Sequence, residues 1–214
     1  MINNNTVLIT RPDDDSTLNF LYFWTEKVVE VAQKRGYKLL DLKGNKSSRK
    51  NLESYINKNG PSLVLFNGHG TKNSICGYNN EPIIELSVND YFLSGRIVYA
   101  RSCASAAELG IKCNARVFIG YDWDFVFYYD PRNISHPTKD KLAERFLGPS
   151  NLIGTTLLKG KTANEANNRS KSLMLKNYFE MVSSKGSYEE QKVASFLWGN
   201  ISGQRIYGDP EAHV

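Results

Sequence analysis

Short apolar runs alternate with longer stretches of helical period across the first two-thirds of the chain. Thr6–Thr10 (TVLIT) is β-branched, stops at Arg11-Pro12 and predicts a strand. Leu18–Arg35 has helical spacing, with Ser16 or Thr17 near its N-cap and Gly36 at its stop. Tyr37–Leu42 predicts a second strand, and Arg49–Asn59 a short helix closed by Gly60-Pro61. Ser62–Asn67 (SLVLFN) is apolar along most of its length, as suits a strand covered on both faces. Ser74–Tyr78 and Pro82–Glu85 predict a small hairpin around Asn79-Asn80, followed by a short helix over Ser87–Leu93. Arg96–Ala100 (RIVYA) and Arg116–Tyr121 (RVFIGY) are the fourth and fifth strands, with a helix over Ala104–Leu109 between them, ended by Gly110. Beyond Asp130-Pro131 the pattern is helical over Lys139–Phe146, Leu152–Leu158, Thr162–Val182 and Tyr188–Leu197. No internal repeat interrupts this order. Strands alternating with helices predict an α/β fold, a mostly parallel sheet with helices on both faces.

Parallel sheets of this kind place working residues just past the carboxyl ends of their strands. His69 directly follows SLVLFN, and Cys103 follows closely after RIVYA. A cysteine attacks as its thiolate, so its surroundings must favour the anion. The helix expected after Cys103, the nearby Arg101 and the imidazole of His69 are each able to do so. A histidine so placed can also protonate a leaving amine. Backbone N–H groups of Gly70 and Cys103 are candidate donors to an oxyanion. A single cysteine is most often a small buried hydrophobe. Two reactive side chains at two strand ends, with glycine on either side of the histidine, reverse that balance. Cys76 in the hairpin, Cys113 in a polar connection, His136 before Pro137 and His213 beside the C-terminal residue carry no assigned role.

Composition narrows the picture further. The chain has 214 residues, 41% of them apolar, enough for one large domain with a true core. Three scattered cysteines suit a reducing compartment and form no paired C-x-x-C, so neither a disulfide framework nor a structural zinc site is expected. No signal peptide and no apolar run of bilayer length is visible, which predicts a soluble, cytoplasmic protein away from membranes. The net charge is +5 and the pI about 9.0, but the lysines are spread along the chain and make a solvated surface rather than a nucleic-acid patch. A nucleotide-binding module is disfavoured: there is no G-x-x-x-x-G-K-[ST] or G-x-G-x-x-G. A receiver-like use of Asp13-Asp14-Asp15 fails because the third strand ends in histidine, not aspartate.

The strand ending in Asn67-Gly68-His69-Gly70 and the strand ending in Ser102-Cys103-Ala104-Ser105, thirty-four residues apart from His69 to Cys103, resemble the caspase-like cysteine peptidases, among them the gingipains and bacterial CHAT peptidases. Leu158–Ala166 (LKGKTANEA) is similar to a helix start common in CHAT domains, and Ile206–Pro210 (IYGDP) to the ending of CHAT and gingipain domains. The resemblance runs from about Thr6 to Pro210 and implies a single domain over 1–214 with a caspase-like three-layer sandwich. It implies peptide-bond hydrolysis through an acyl-enzyme, with His69 and Cys103 as the catalytic pair, a protein or peptide substrate and no cofactor. Ala104–Ala107 departs from it in lacking a glycine after the nucleophile. In this fold the residue two before the nucleophile commonly faces the substrate pocket. Arg101 there, with Arg11 assisting, implies an acidic residue before the cut. Asp122 and Asp124 imply the opposite by neutralising Arg101 or receiving a basic side chain, and Trp123 is a pocket wall or packing. Asp13–Asp15 are expected to be a solvated loop and helix start. A non-catalytic adaptor of the same fold, an activating partner, and a lid over Tyr128–Lys141 stay open as alternatives.

Overall fold

The computed structural model describes residues 2–214. β1 (Asn3–Arg11), β2 (Lys38–Lys43), β3 (Pro61–Asn67), β7 (Ile97–Arg101), β8 (Val117–Tyr121) and β9 (Gln204–Gly208) form one sheet in the order β2-β1-β3-β7-β8-β9. All pairs are parallel except β8 with β9. A second, antiparallel sheet of β4 (Gly70–Thr71), β5 (Ser74–Cys76) and β6 (Pro82–Glu85) lies beside it. The central strands alternate strictly. Val7, Ile9, Leu63, Leu65, Ile97, Tyr99, Val117 and Ile119 pack on one face, against Trp24 and Val28 of α1 (Ser16–Lys34) and Ile153 and Leu157 of α4 (Lys141–Leu157). Leu8, Val64, Phe66, Val98, Ala100 and Phe118 pack on the other, against α2 (Arg49–Asn59), the small sheet and α3 (Leu109–Lys112). Side chains of period two thus fill two cores from one sheet, giving three layers. α5 (Ala163–Val182) and α6 (Tyr188–Gly203) close a third cluster with α4 through Phe146, Met174, Met181 and Leu197.

The helix boundaries follow their caps. Ser48 and Thr162 each accept from the third residue of the helix they open, and Ser187 makes a full capping box with Glu190. α1 is capped by Asp15 rather than by Ser16 or Thr17. The two helices expected at Lys139–Phe146 and Leu152–Leu158 are one, running through Pro149. Proline has no N–H for the carbonyl four residues back, and that carbonyl, of Arg145, accepts instead from Asn177 Nδ2 at 2.8 Å.

Three further expectations give way. No helix starts at Ala104. Ser102–Glu108 is a series of turns, with Ala104 and Ala106 donating to the carbonyls of Trp123 and Tyr121, and the helix is only the short α3. Ser87–Leu93 forms a 3₁₀ turn over Asp90–Leu93. The C-terminal motif is a strand: β9 pairs Val117 with Gly208, and the backbone of Pro210 and Ala212 accepts from Asn164 and Ala163 at the start of α5. The two distant motifs LKGKTANEA and IYGDP therefore dock on each other. Tyr128–Lys141 is an anchored connection: Asp140 accepts from the backbone of Asp130 and caps α4, and Trp24 donates to the Pro137 carbonyl.

Candidate active site

Asn67 and Arg101 are the last residues of β3 and β7 and lie opposite each other in the parallel ladder. The chain then turns outward from both at one level. His69 follows from the first strand tip and Cys103 from the second. Gly68 N–H reaches the Arg101 carbonyl at 3.4 Å. A Cβ on Gly70 would stand 2.8 Å from the Cys103 carbonyl oxygen and 2.9 Å from Ser102 Cβ. Only a residue without a side chain lets these two loops touch. The imidazole and the sulfur line one hollow of about 20 Å³, walled by Leu18, Leu21, Phe125 and Phe127. That is room for about one water molecule.

His69 Nε2 donates to Asp15 Oδ2 at 2.6 Å. The other oxygen of Asp15 accepts from Leu18 N–H at 2.7 Å, capping α1. A carboxylate only accepts, so Nε2 carries a proton, and Nδ1 is the ring nitrogen that Asp15 leaves unengaged. Asp15 was expected to be solvated with its neighbours. An aspartate before a helix is already explained by the helix, and nothing in the sequence shows its second oxygen turned to an imidazole fifty-four residues away. Asp14 is also engaged, accepting from Asn79 N–H at the hairpin tip at 2.8 Å.

Cys103 Sγ lies 3.8 Å from the Phe125 carbonyl and donates to it. Burial pushes the thiol up, backbone contact with Phe125 draws part of that back, and the Asp124 carboxylate pushes it up again. With no helix starting at the sulfur, the dipole expected to favour its anion is absent. Ala104, next in line, has φ of +52°, a left-handed conformation that costs an alanine about 1–2 kcal/mol. Its N–H is held by the Trp123 carbonyl at 2.9 Å. Cys76 and Cys113 are buried, and burial raises both thiols. Cys113, expected in a polar connection, packs in the core on the α2 face.

The two arginines part company. Arg101 is 1% exposed in the lining of the hollow. Its five N–H bonds go to Asn67 Oδ1 twice, Ser150 Oγ, Asn151 Oδ1 and Thr25 Oγ1, all neutral. Arg11 is buried away from the hollow. It pairs with Asp41 and Glu26 and lies 4.5 Å over the Tyr22 ring. Asp122 is bound to Arg205 at 2.8 Å, and Trp123 is 69% exposed and does not line the hollow. Asp124 is exposed beside the sulfur. Among the described residues no cluster of three or more metal-ligating side chains forms, and no helix is long and apolar enough to cross a membrane.

No protein-family model and no curated protein matches this chain. Solved structures do. A complex of the pro- and mature domains of RgpB from Porphyromonas gingivalis superposes with a TM-score of 0.60 at 13% identity. The Arg-specific cysteine proteinase gingipain R (RgpB) superposes with a TM-score of 0.57 at 14% identity. In both, 99% of this chain is covered and 48% of the other, so the chain spans about half the length of the proteins it matches. The fold is the caspase-like α/β fold of the gingipains. The likeness to CHAT domains rests on the sequence alone, on the His69–Cys103 spacing and the two tail motifs.

Proposed function

We propose that the protein is a cysteine endopeptidase, formed as one domain over residues 1–214, with Cys103 as nucleophile and His69 as general base and acid. The observation that carries this reading is that Cys103 and His69 follow two adjacent strand tips and line one hollow, with the Asp15 carboxylate bound to the imidazole. His69 Nδ1 takes the thiol proton, and the sulfur attacks the peptide carbonyl carbon. Asp15 keeps the ring turned and stabilises the imidazolium that forms. The N–H groups of Gly70 and Cys103 receive the oxyanion. His69 then gives its proton to the leaving amine, and the thioester left behind is cleaved by a water that the histidine deprotonates. No cofactor enters this sequence. The three free cysteines support a reading in which the protein works in a reducing compartment such as the cytoplasm.

Substrate side chains are read by charge. Arg101 has no carboxylate partner, so its field in the lining of the hollow favours Asp or Glu before the cut, while Asp124 beside the sulfur opposes it. Arg11 takes no part, its donors being spent on Asp41 and Glu26. The upward push on the thiol and the one-water hollow support an activating protein partner as part of this reading. Iodoacetamide tests the core of it. Cys103 alkylates far faster than Cys76 or Cys113, and His69→Ala removes the difference; equal rates at the three thiols leave an adaptor of the same fold. A peptide library tests the preference, and cleavage mainly after Arg or Lys transfers specificity to Asp124.

A further inference from the structure

We infer that Arg101 is a positioning residue for the Cys103–His69 pair: its guanidinium grips the Asn67 side chain and holds the strand tip presenting His69 in register with the tip presenting Cys103. This deepens the peptidase reading and rests on it. Arg101 stands two residues before the sulfur and Asn67 two residues before the imidazole, opposite one another in the ladder. Nε and Nη2 of Arg101 reach Asn67 Oδ1 at 2.9 and 2.6 Å. Asn67 Nδ2 in turn donates to the Thr10 carbonyl at 2.7 Å, which adds β1 to the tie. The remaining donors hold the helices behind the sheet: Nη1 to Ser150 and Asn151 of α4 at 2.9 and 3.0 Å, and Nη2 to Thr25 of α1 at 2.5 Å. One side chain therefore joins three strand ends to two helices at the level where both reactive groups leave the sheet.

The chemistry of the group argues the same way. A buried ion with no counter-charge is costly, and an apolar side chain of similar length fills such a space at no such cost. The ionisable groups near this guanidinium are the buried phenols Tyr99 and Tyr121, both neutral. All five donors are matched by five neutral contacts, an arrangement that a planar fork can make and a lysine, with three donors on one nitrogen, cannot. No N–H is left over for a substrate. The charge acts on a substrate through space, and the hydrogen bonds act on the strand tips.

Arg101→Lys keeps the charge and loses the fork. In the full chain, with near-ultraviolet circular dichroism as the check on packing, Cys103 alkylation is expected to slow by about tenfold, as misplacement of reacting groups by a fraction of an ångström does. Amide exchange at Gly68–Gly70 is expected to rise. On a cleaved peptide kcat is expected to fall, with KM changing by less than about twofold because the charge is retained. Wild-type alkylation and wild-type exchange at those amides overturn the inference. If Arg101→Lys does not fold, Thr25→Val removes the acceptor of one Arg101 N–H and the hydroxyl's own bond to Leu21 O or Asn67 Oδ1. Alkylation slowed about threefold or more then supports the tether, as the loss of one or two hydrogen bonds there predicts, and an unchanged rate overturns it. The His69→Ala comparison decides the peptidase reading separately, and amide exchange reports the tether whichever way that comparison falls.

Discussion

Asp15 uses its two oxygens on two partners, a helix end and an imidazole. Asparagine caps a helix about as well as aspartate does but carries no charge to stabilise an imidazolium. Asp15→Asn is therefore expected to leave the melting temperature nearly unchanged. It should slow peptide cleavage and Cys103 alkylation by about ten- to a hundredfold, as loss of a histidine's orienting carboxylate does. Asp124 acts in the opposite sense. Its carboxylate helps hold the Cys103 thiol above the ordinary thiol range. Only the thiolate alkylates, so the wild-type rate climbs with pH. Asp124→Asn is expected to move that curve to lower pH, and a shift to higher pH in stopped-flow alkylation contradicts the assignment. The placement of His69 and Cys103 past neighbouring strand ends was legible in the sequence because each follows an apolar run that reads as a strand. The contact of Asp15 with His69 was not, since a capping aspartate looks the same until the fold brings a histidine near.

Elements were legible where the side-chain period and the caps agreed. β3 reads as apolar and is buried throughout, and α2 begins and ends at the positions its serine cap and left-handed Gly60 dictate. Misreadings arose where a tertiary bond replaced a local one. Asn177 supplies the donor that lets α4 run through Pro149. Bonds from the N–H groups of Ala104 and Ala106 to the Trp123 and Tyr121 carbonyls go with a left-handed Ala104, φ +52°, that no helix start adopts. The contact between the two reactive loops is a property of elements too. Leu109 N–H donates to the Lys72 carbonyl, and Glu108 bridges Lys72 and Lys112, so the chain beyond the sulfur is stitched to the turn beyond the imidazole. Gly70→Ala places a methyl group 2.8 Å from the Cys103 carbonyl. It is expected to cost about 1–3 kcal/mol by overpacking and to reduce alkylation of Cys103 more than its stability loss accounts for. Full reactivity in a destabilised Gly70→Ala protein argues against the close approach.

Across the whole molecule, one sheet feeds two cores, and its last strand returns from the far end of the chain. Gly208 makes that return possible. Its φ is +92°, and a Cβ there would meet the Arg116 carbonyl oxygen at 2.4 Å. Gly208→Ala is expected to destabilise the protein by about 1–3 kcal/mol, several degrees in Tm by thermal denaturation. An unchanged Tm contradicts this closure. The same return anchors the stretch that walls the hollow. Val126 is held at both backbone groups by Asn200, and Asp122 by Gly203 and Arg205. Those partners leave the ribosome after that stretch, on the order of ten seconds later at ordinary rates of synthesis. A nascent chain thus has both reactive groups made before it has the means to cover them.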